Sequence, residues 1–344
     1  MKILVIGPSW VGDMVMAQVL FRCLRQRHPD AVIDVLAPSW CRELLTRMPE
    51  VRFALPLPIA HRELGLGKRW HIGRELAQDV YDQAIVLPNS FKSALIPVFA
   101  KIPLRTGWRG EARGWLLNDC RRLDKTRYPL MAQRFAALAY DASVALPASL
   151  PRPQLKTDAG ATAALRDRLH LDSDKPVLVL CPGAEFGAAK QWPTAHYAEV
   201  ANHFAGQGMQ VWLMGSERDA PVAQAILAAN RSPDIINLCG RTTLGEAADL
   251  MVAASGVVSN DSGLMHVAAA LARPLVVVYG STSPAFTPPL ADAVRTLSLG
   301  LDCSPCFKRE CPLGHLNCLR QLLPDRVIDA ALAVMPAVLP VSVQ

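Results

Sequence analysis

The residues best suited to chemistry fall in a few short loops and one cysteine cluster. The loop Gly7-Pro8-Ser9-Trp10-Val11-Gly12-Asp13 follows an apolar strand pattern and leads into an apolar-periodic helix from about Met14 to Arg27. Its two glycines allow a tight turn and close approach to a ligand. Asp13 has two readings: a cap of the following helix, where aspartate is favoured, or a general base that takes a proton from an attacking hydroxyl. The dinucleotide fingerprint is missing, because the spacing runs from Gly7 to Gly12 and the second strand ends at Ala37-Pro38-Ser39 without an acid for a ribose. A phosphate-binding P-loop also fails, since Asp13-Met14 stand where it needs lysine followed by serine or threonine.

Asn260-Asp261-Ser262-Gly263-Leu264-Met265-His266 again joins a strand to a helix. Free N–H groups at such a helix start suit a diphosphate. Asp261 would repel phosphate and fits neutral sugar hydroxyls better, and His266 is either packed or a phosphate partner. A third loop, Pro182-Gly183-Ala184-Glu185, is followed by Lys190, which is either a surface lysine or a point charge for a leaving diphosphate. Glu217 follows another strand and could bond a ribose diol or cap a helix. The one D-x-D, Asp172-Ser173-Asp174, precedes its strand and reads as a turn rather than a metal site. Lys190 and helix N-termini can stabilise a leaving group without a metal.

Nine cysteines divide into two groups. Cys23, Cys41, Cys120, Cys181 and Cys239 lie in apolar contexts and read as reduced core residues. Cys303, Cys306, Cys311 and Cys318, with His315 among them, have ligand-like spacing. Four soft ligands favour structural zinc over disulfides in a reducing compartment, although the spacing matches no standard zinc template and a loop of packed, reduced thiols is the alternative.

These loops need a scaffold that presents them together. Strand, loop and helix alternate in both halves, with strands expected at 2–6, 31–36, 84–87, 177–181, 210–214, 257–259 and 275–279. That order implies an α/β fold of two Rossmann-like doubly wound domains facing across a cleft. The domains are expected at 1–160 and 170–344, with a linker in the Pro147–Lys175 stretch and the last helix able to pack back on the first domain. Ligands of such sheets bind beyond the strands' carboxyl ends, where these loops lie. The 344 residues, 51% hydrophobic and 19% charged, suffice for two cores. The net charge of +6 does not demand nucleic acid, and no aromatic-basic stacking pattern occurs. The basic stretch from Arg105 to Arg134, including Arg109, Arg113 and Arg121, is either a solvated face or a surface for an anionic acceptor or membrane. The N-terminus has no signal-peptide pattern and no run is long enough to span a membrane, so a cytoplasmic protein with peripheral membrane contact is expected.

Several blocks resemble the ADP-heptose:lipopolysaccharide heptosyltransferase family, and within it the type II branch. They are Gly7 to Met14, Leu87-Pro88-Asn89-Ser90-Phe91-Lys92-Ser93-Ala94, Arg105-Thr106-Gly107-Trp108-Arg109-Gly110-Glu111, Cys181 to Gly187, Asn260 to Ala270 and Phe286-Thr287-Pro288-Pro289. The resemblance extends from residue 1 to about 330. It implies a GT-B fold and inverting transfer from ADP-heptose to the first heptose of the inner core on Kdo2-lipid A, at the cytoplasmic face of the inner membrane. It implies Asp13 as base, and Gly183, Ala184, Lys190, Glu217, Asp261, Ser262, Gly263 and His266 as donor contacts. Asn89, Lys92, Arg105 and Arg109 become acceptor contacts, with no metal required. Alternatives are heptosyltransferase I or another ADP-sugar transferase of the family, a nicotinamide-dependent oxidoreductase, and a non-catalytic sugar-nucleotide-binding protein.

Overall fold

The computed structural model describes residues 1–60 and 63–335. The chain divides into two compact units, Met1–Leu155 and Lys156 onward. The first holds a six-stranded sheet of β1 (Lys2–Ile6), β2 (Val32–Ala37), β3 (Val51–Pro56), β4 (Gln83–Val86), β5 (Leu104–Trp108) and β6 (Asp119–Arg121), in the order β3-β2-β1-β4-β5-β6. Every neighbouring pair is parallel, with Val5 opposite Val35 on one side and Ile85 on the other.

The continuous apolar runs follow from burial on both faces of the sheet. Leu4 and Ile6 join a cluster with Leu36, Val86 and the helical residues Leu76, Leu95 and Ile96. Ile3 and Val5, which alternate to the other face, are also fully enclosed. The first helix spans Val11–Arg27, one turn earlier than its hydrophobic pattern alone suggests, with Trp10 at the N-cap.

The second unit repeats the plan with β7 (Val177–Cys181), β8 (Gln210–Leu213), β9 (Ile235–Asn237), β10 (Gly256–Asn260), β11 (Leu275–Val278) and β12 (Val294–Leu297). Their order is β12-β11-β10-β7-β8-β9, again all parallel. Counted from its own first strand, each sheet therefore has the same order, 3-2-1-4-5-6. Asp158 starts the unit by capping helix Ala159–Leu169 through the N–H groups of Gly160 and Ala161. The last described helix, Pro324–Val334, buries Val327, Ile328 and Ala331 in this unit's core beside Val258 and Val276. Its apolar face packs within the second unit. The apolar periodicity of the sequence runs on from 327 to 338, as expected of a core-facing helix, and its end lies outside the described residues.

In a sheet of this order the crevice for ligands opens where the winding reverses, between the first and fourth strands. For the first unit that point lies between β1 and β4, and for the second between β7 and β10. The loops leaving these four strands are those at Gly7, Pro88, Pro182 and Asp261.

Candidate functional site

In the second unit, Asn260 holds the loops around the switch point together. It ends β10 with no exposed surface. Its Oδ1 accepts from the Trp192 N–H at 3.1 Å and the Tyr197 hydroxyl at 3.0 Å. Its Nδ2 donates to the carbonyls of Pro182 at 2.8 Å and Gly183 at 3.2 Å. One buried amide thus fixes both the turn after β7 and the segment following Lys190.

That fixation brings Lys190 to Asp261. Their Nζ and Oδ2 atoms are 2.6 Å apart, with the side chains only 15% and 5% exposed. Thr282, in the turn after β11, donates to the same carboxylate oxygen at 2.6 Å. The sequence reading assigned Lys190 to phosphate and Asp261 to sugar hydroxyls without pairing them. It also missed Thr282, although Gly280-Ser281-Thr282 follows a strand as the other loops do. His266 is buried beside this pair. Burial lowers its pKa to about 4, with Lys190 adding to the fall and Asp261 opposing it. The ring is therefore neutral at pH 7 and brings hydrogen-bonding capacity without positive charge.

Ser262 stands at the N-cap of helix Gly263–Ala270, its hydroxyl 3.1 Å from that of Ser259. Gly183 and Ala184 lie in the β7 turn. A Cβ at Gly183 would meet the Asp219 carboxylate at 2.3 Å, so the turn packs directly on the loop after β8. In that loop Ser216, not Glu217, occupies the cap position, closed by Asp219 at 2.8 Å. Glu217 is exposed. Asp172-Ser173-Asp174 is a turn before β7, closed by the Asp174 N–H on Asp172 at 2.8 Å.

In the first unit, Asp13 lies in the opening turn of helix Val11–Arg27, half-buried and three residues past the cap. The capping alternative is replaced by a carboxylate favoured by the positive end of the helix dipole. The loop after β4 is shaped by Arg113, which the sequence placed on a basic face but which is fully buried. Its guanidinium donates to Asn89 Oδ1 at 3.0 Å, Ser93 Oγ at 3.2 Å and the Trp108 carbonyl, and also to the Pro88 carbonyl. Burial lowers its pKa. Asn89 is thereby oriented with an exposed edge, and Lys92 donates to the Glu63 carbonyl at 3.1 Å. Arg105 departs from expectation: its guanidinium donates to the Leu116 and Ile102 carbonyls at 2.7 and 2.6 Å and serves the backbone. Arg109 is exposed and its side chain has no hydrogen bond or ion pair among the described residues.

The zinc expectation is not supported. Cys303, Cys306, Cys311, Cys318 and His315 do line one cavity, but its volume is only about 20 Å³. Among the described residues no three or more His, Cys, Asp or Glu side chains are arranged to hold a metal ion. Nearby backbone N–H groups, Leu316 foremost, lower the pKa of Cys311 against the opposing effect of burial.

Comparison with known proteins fits this architecture. Lipopolysaccharide heptosyltransferase 2 of Salmonella typhimurium is 51% identical over 337 residues, covering 96% of this chain and 97% of the relative. The Escherichia coli protein of the same name is 49% identical over 97% of this chain and 99% of its own length. The solved structure of E. coli ADP-heptose LPS heptosyltransferase II superposes with a TM-score of 0.89, at 48% identity over 97% of this chain and 98% of that one. The fold is accordingly that of the GT-B heptosyltransferases. Residues 69–317 match the profile of glycosyltransferase family 9 (heptosyltransferase), and the chain belongs to that family.

Proposed function

We propose that this glycosyltransferase moves a heptosyl group from ADP-heptose to the first heptose of the lipopolysaccharide inner core, with inversion at the anomeric carbon. The observation that carries this reading is the likeness to heptosyltransferase 2 at about half identity along almost the whole of both chains.

The donor diphosphate takes the switch point of the second unit. The N–H groups of helix Gly263–Ala270 and the Lys190 ammonium meet the charge that develops as ADP leaves. Lys190 then exchanges part of its contact with Asp261 for phosphate oxygen, while Thr282 keeps its bond to the carboxylate. Asp261 and neutral His266 face hydroxyl groups, Ser262, Gly183 and Ala184 offer close backbone, and Glu217 is the candidate for the ribose. The acceptor takes the first unit, with Asn89, Lys92 and Arg109 meeting its polar and anionic groups. Arg105 is withdrawn from that set because it is occupied by backbone carbonyls.

Asp13 takes the proton from the acceptor hydroxyl as its oxygen bonds to the anomeric carbon. The bond from that carbon to the diphosphate oxygen breaks, and ADP departs with the electron pair. A single displacement needs one base and no enzyme nucleophile. The acceptor is anchored in lipid, so the enzyme works in transient contact with the cytoplasmic face of the inner membrane. No described helix is long and apolar enough to cross it.

The test is ADP release from ADP-heptose with mono-heptosylated Kdo2-lipid A as acceptor. Wild-type protein should release ADP only with acceptor present, and Asp13→Asn should lose roughly 10²–10⁴-fold. Full turnover in the variant would remove Asp13 from its role. No release by folded wild-type protein would reject the substrate pair.

A further inference from the structure

The carboxyl end of the first sheet carries two indoles that the transfer step described above does not use. Trp10 is the N-cap of helix Val11–Arg27, three residues before Asp13, and it is 43% exposed. Trp40 lies in the turn Ser39–Cys41 that follows β2, and it is 53% exposed. The two loops are bonded to each other, because the Trp40 indole N–H donates to the Ser9 carbonyl at 3.1 Å. They are also close at their roots. The Gly7 N–H donates to the Leu36 carbonyl at 2.9 Å, and a Cβ on Gly7 would stand 3.3 Å from the Ala37 Cβ. Trp40 has a firm base, since Pro38 and Cys41 are buried and the Cys41 N–H donates to the Pro38 carbonyl at 3.0 Å.

An indole gains free energy by burying its carbon surface, and these two forgo much of that gain. The N–H is the ring's single polar group, and in Trp40 it is already bonded. What that ring still shows to water is therefore apolar carbon. Apolar carbon beside a carboxylate matches a ligand with both a hydroxyl edge and an apolar face. A pyranose ring has both, and the slightly positive C–H groups of its face are attracted to the negative face of an indole. Tryptophan holds such a surface at low entropic cost, having only two side-chain torsions to fix. The loops of Asn89, Lys92 and Arg109 follow β4 and β5, on the other side of β1 from β2. Polar and cationic groups thus flank the Asp13 loop on one side and the two indoles on the other.

We infer that Trp10 and Trp40 form a stacking platform for the pyranose ring of the acceptor heptose, holding its hydroxyl toward Asp13. The pair binds and orients the sugar and exchanges no proton with it. This inference rests on the reading of the first unit as the acceptor side.

The acceptor for the test is the saccharide alone, mono-heptosylated Kdo2 on the lipid A glucosamine disaccharide stripped of its acyl chains, with ADP-heptose as donor. Trp10→Ala and Trp40→Ala should each raise the KM for this acceptor about tenfold, with a smaller change in kcat and wild-type ADP affinity by calorimetry. Trp10→Phe and Trp40→Phe keep an aromatic face and should recover most of the loss. A phenyl ring cannot make the bond to Ser9, so Trp40→Phe as impaired as Trp40→Ala would assign the effect to that bond and overturn the platform. Alanine variants with wild-type KM would overturn it too, as would a defect seen only with the intact lipid, which would assign the rings to acyl chains or membrane. Titrating the saccharide into wild-type protein should shift the tryptophan emission, and the shift should shrink in Trp40→Phe. An equal shift in the variant would overturn the contact. If the wild type releases no ADP with either acceptor, the transfer reading fails, while the emission titration still decides whether the indoles bind the sugar.

Discussion

Lys190 and Asp261 are largely withdrawn from water, so each depends on the other. Removing one partner of such a pair strands a buried charge and costs about 3–5 kcal/mol, whereas replacing both with apolar groups can be nearly neutral. Urea unfolding should therefore show Lys190→Met and Asp261→Leu each strongly destabilised and the double variant closer to wild type. Equal, additive losses would argue against the coupling. His266 gives a second prediction. Its folded pKa of about 4 lies below the ordinary 6.5. Between these values the unfolded chain takes up a proton that the folded protein refuses. The contribution is intact above pH 6.5 and is lost as pH falls toward 4, on the order of 3 kcal/mol in full. Thermal melts from pH 7 to 4.5 should fall less steeply in His266→Gln than in wild type.

Among the elements, the tie at the end of β10 is the most consequential. Asn260→Ala would leave the Trp192 N–H and the Pro182 carbonyl without their buried partner and the Tyr197 hydroxyl with only the longer bond to the Cys181 carbonyl at 3.3 Å. A stability loss of about 2–4 kcal/mol is expected, with ADP binding weakened further because the 182–190 segment loses its anchor. Calorimetric unfolding and ADP titration check the two parts separately. Most interior strands were legible in the sequence because burial on both faces writes an unbroken apolar run, as in Val177–Cys181. The interior β5 was not read, because Arg105, Thr106 and Gly107 interrupt its apolar pattern, and the outer strands β3, β6, β9 and β12 were not read either. They are short or face solvent, as in Val51–Pro56, where Arg52 and Phe53 are exposed, and their patterns are mixed. The first helix began earlier than expected because Trp10, not a polar side chain, precedes it. The candidate loops were legible because each follows a strand. Their internal bonds were not, since Lys190 and Asp261 are 71 residues apart and Arg113 reads as an ordinary surface arginine.

For the molecule as a whole, a nucleotide that binds only folded protein adds about 2.7 kcal/mol of stability at a hundredfold excess over its Kd. ADP should raise the melting temperature, and hydrogen exchange should locate new protection at 182–190 and 259–266, with 1–155 unchanged. Protection appearing first near residues 7–13 would place the nucleotide in the other unit. Each sheet draws all its strands from one unbroken stretch of sequence, and the division falls at Leu155–Lys156. Recombination between relatives at that junction exchanges an entire half without cutting a strand pair. On the reading above, the choice of acceptor and the choice of donor are then separately heritable traits.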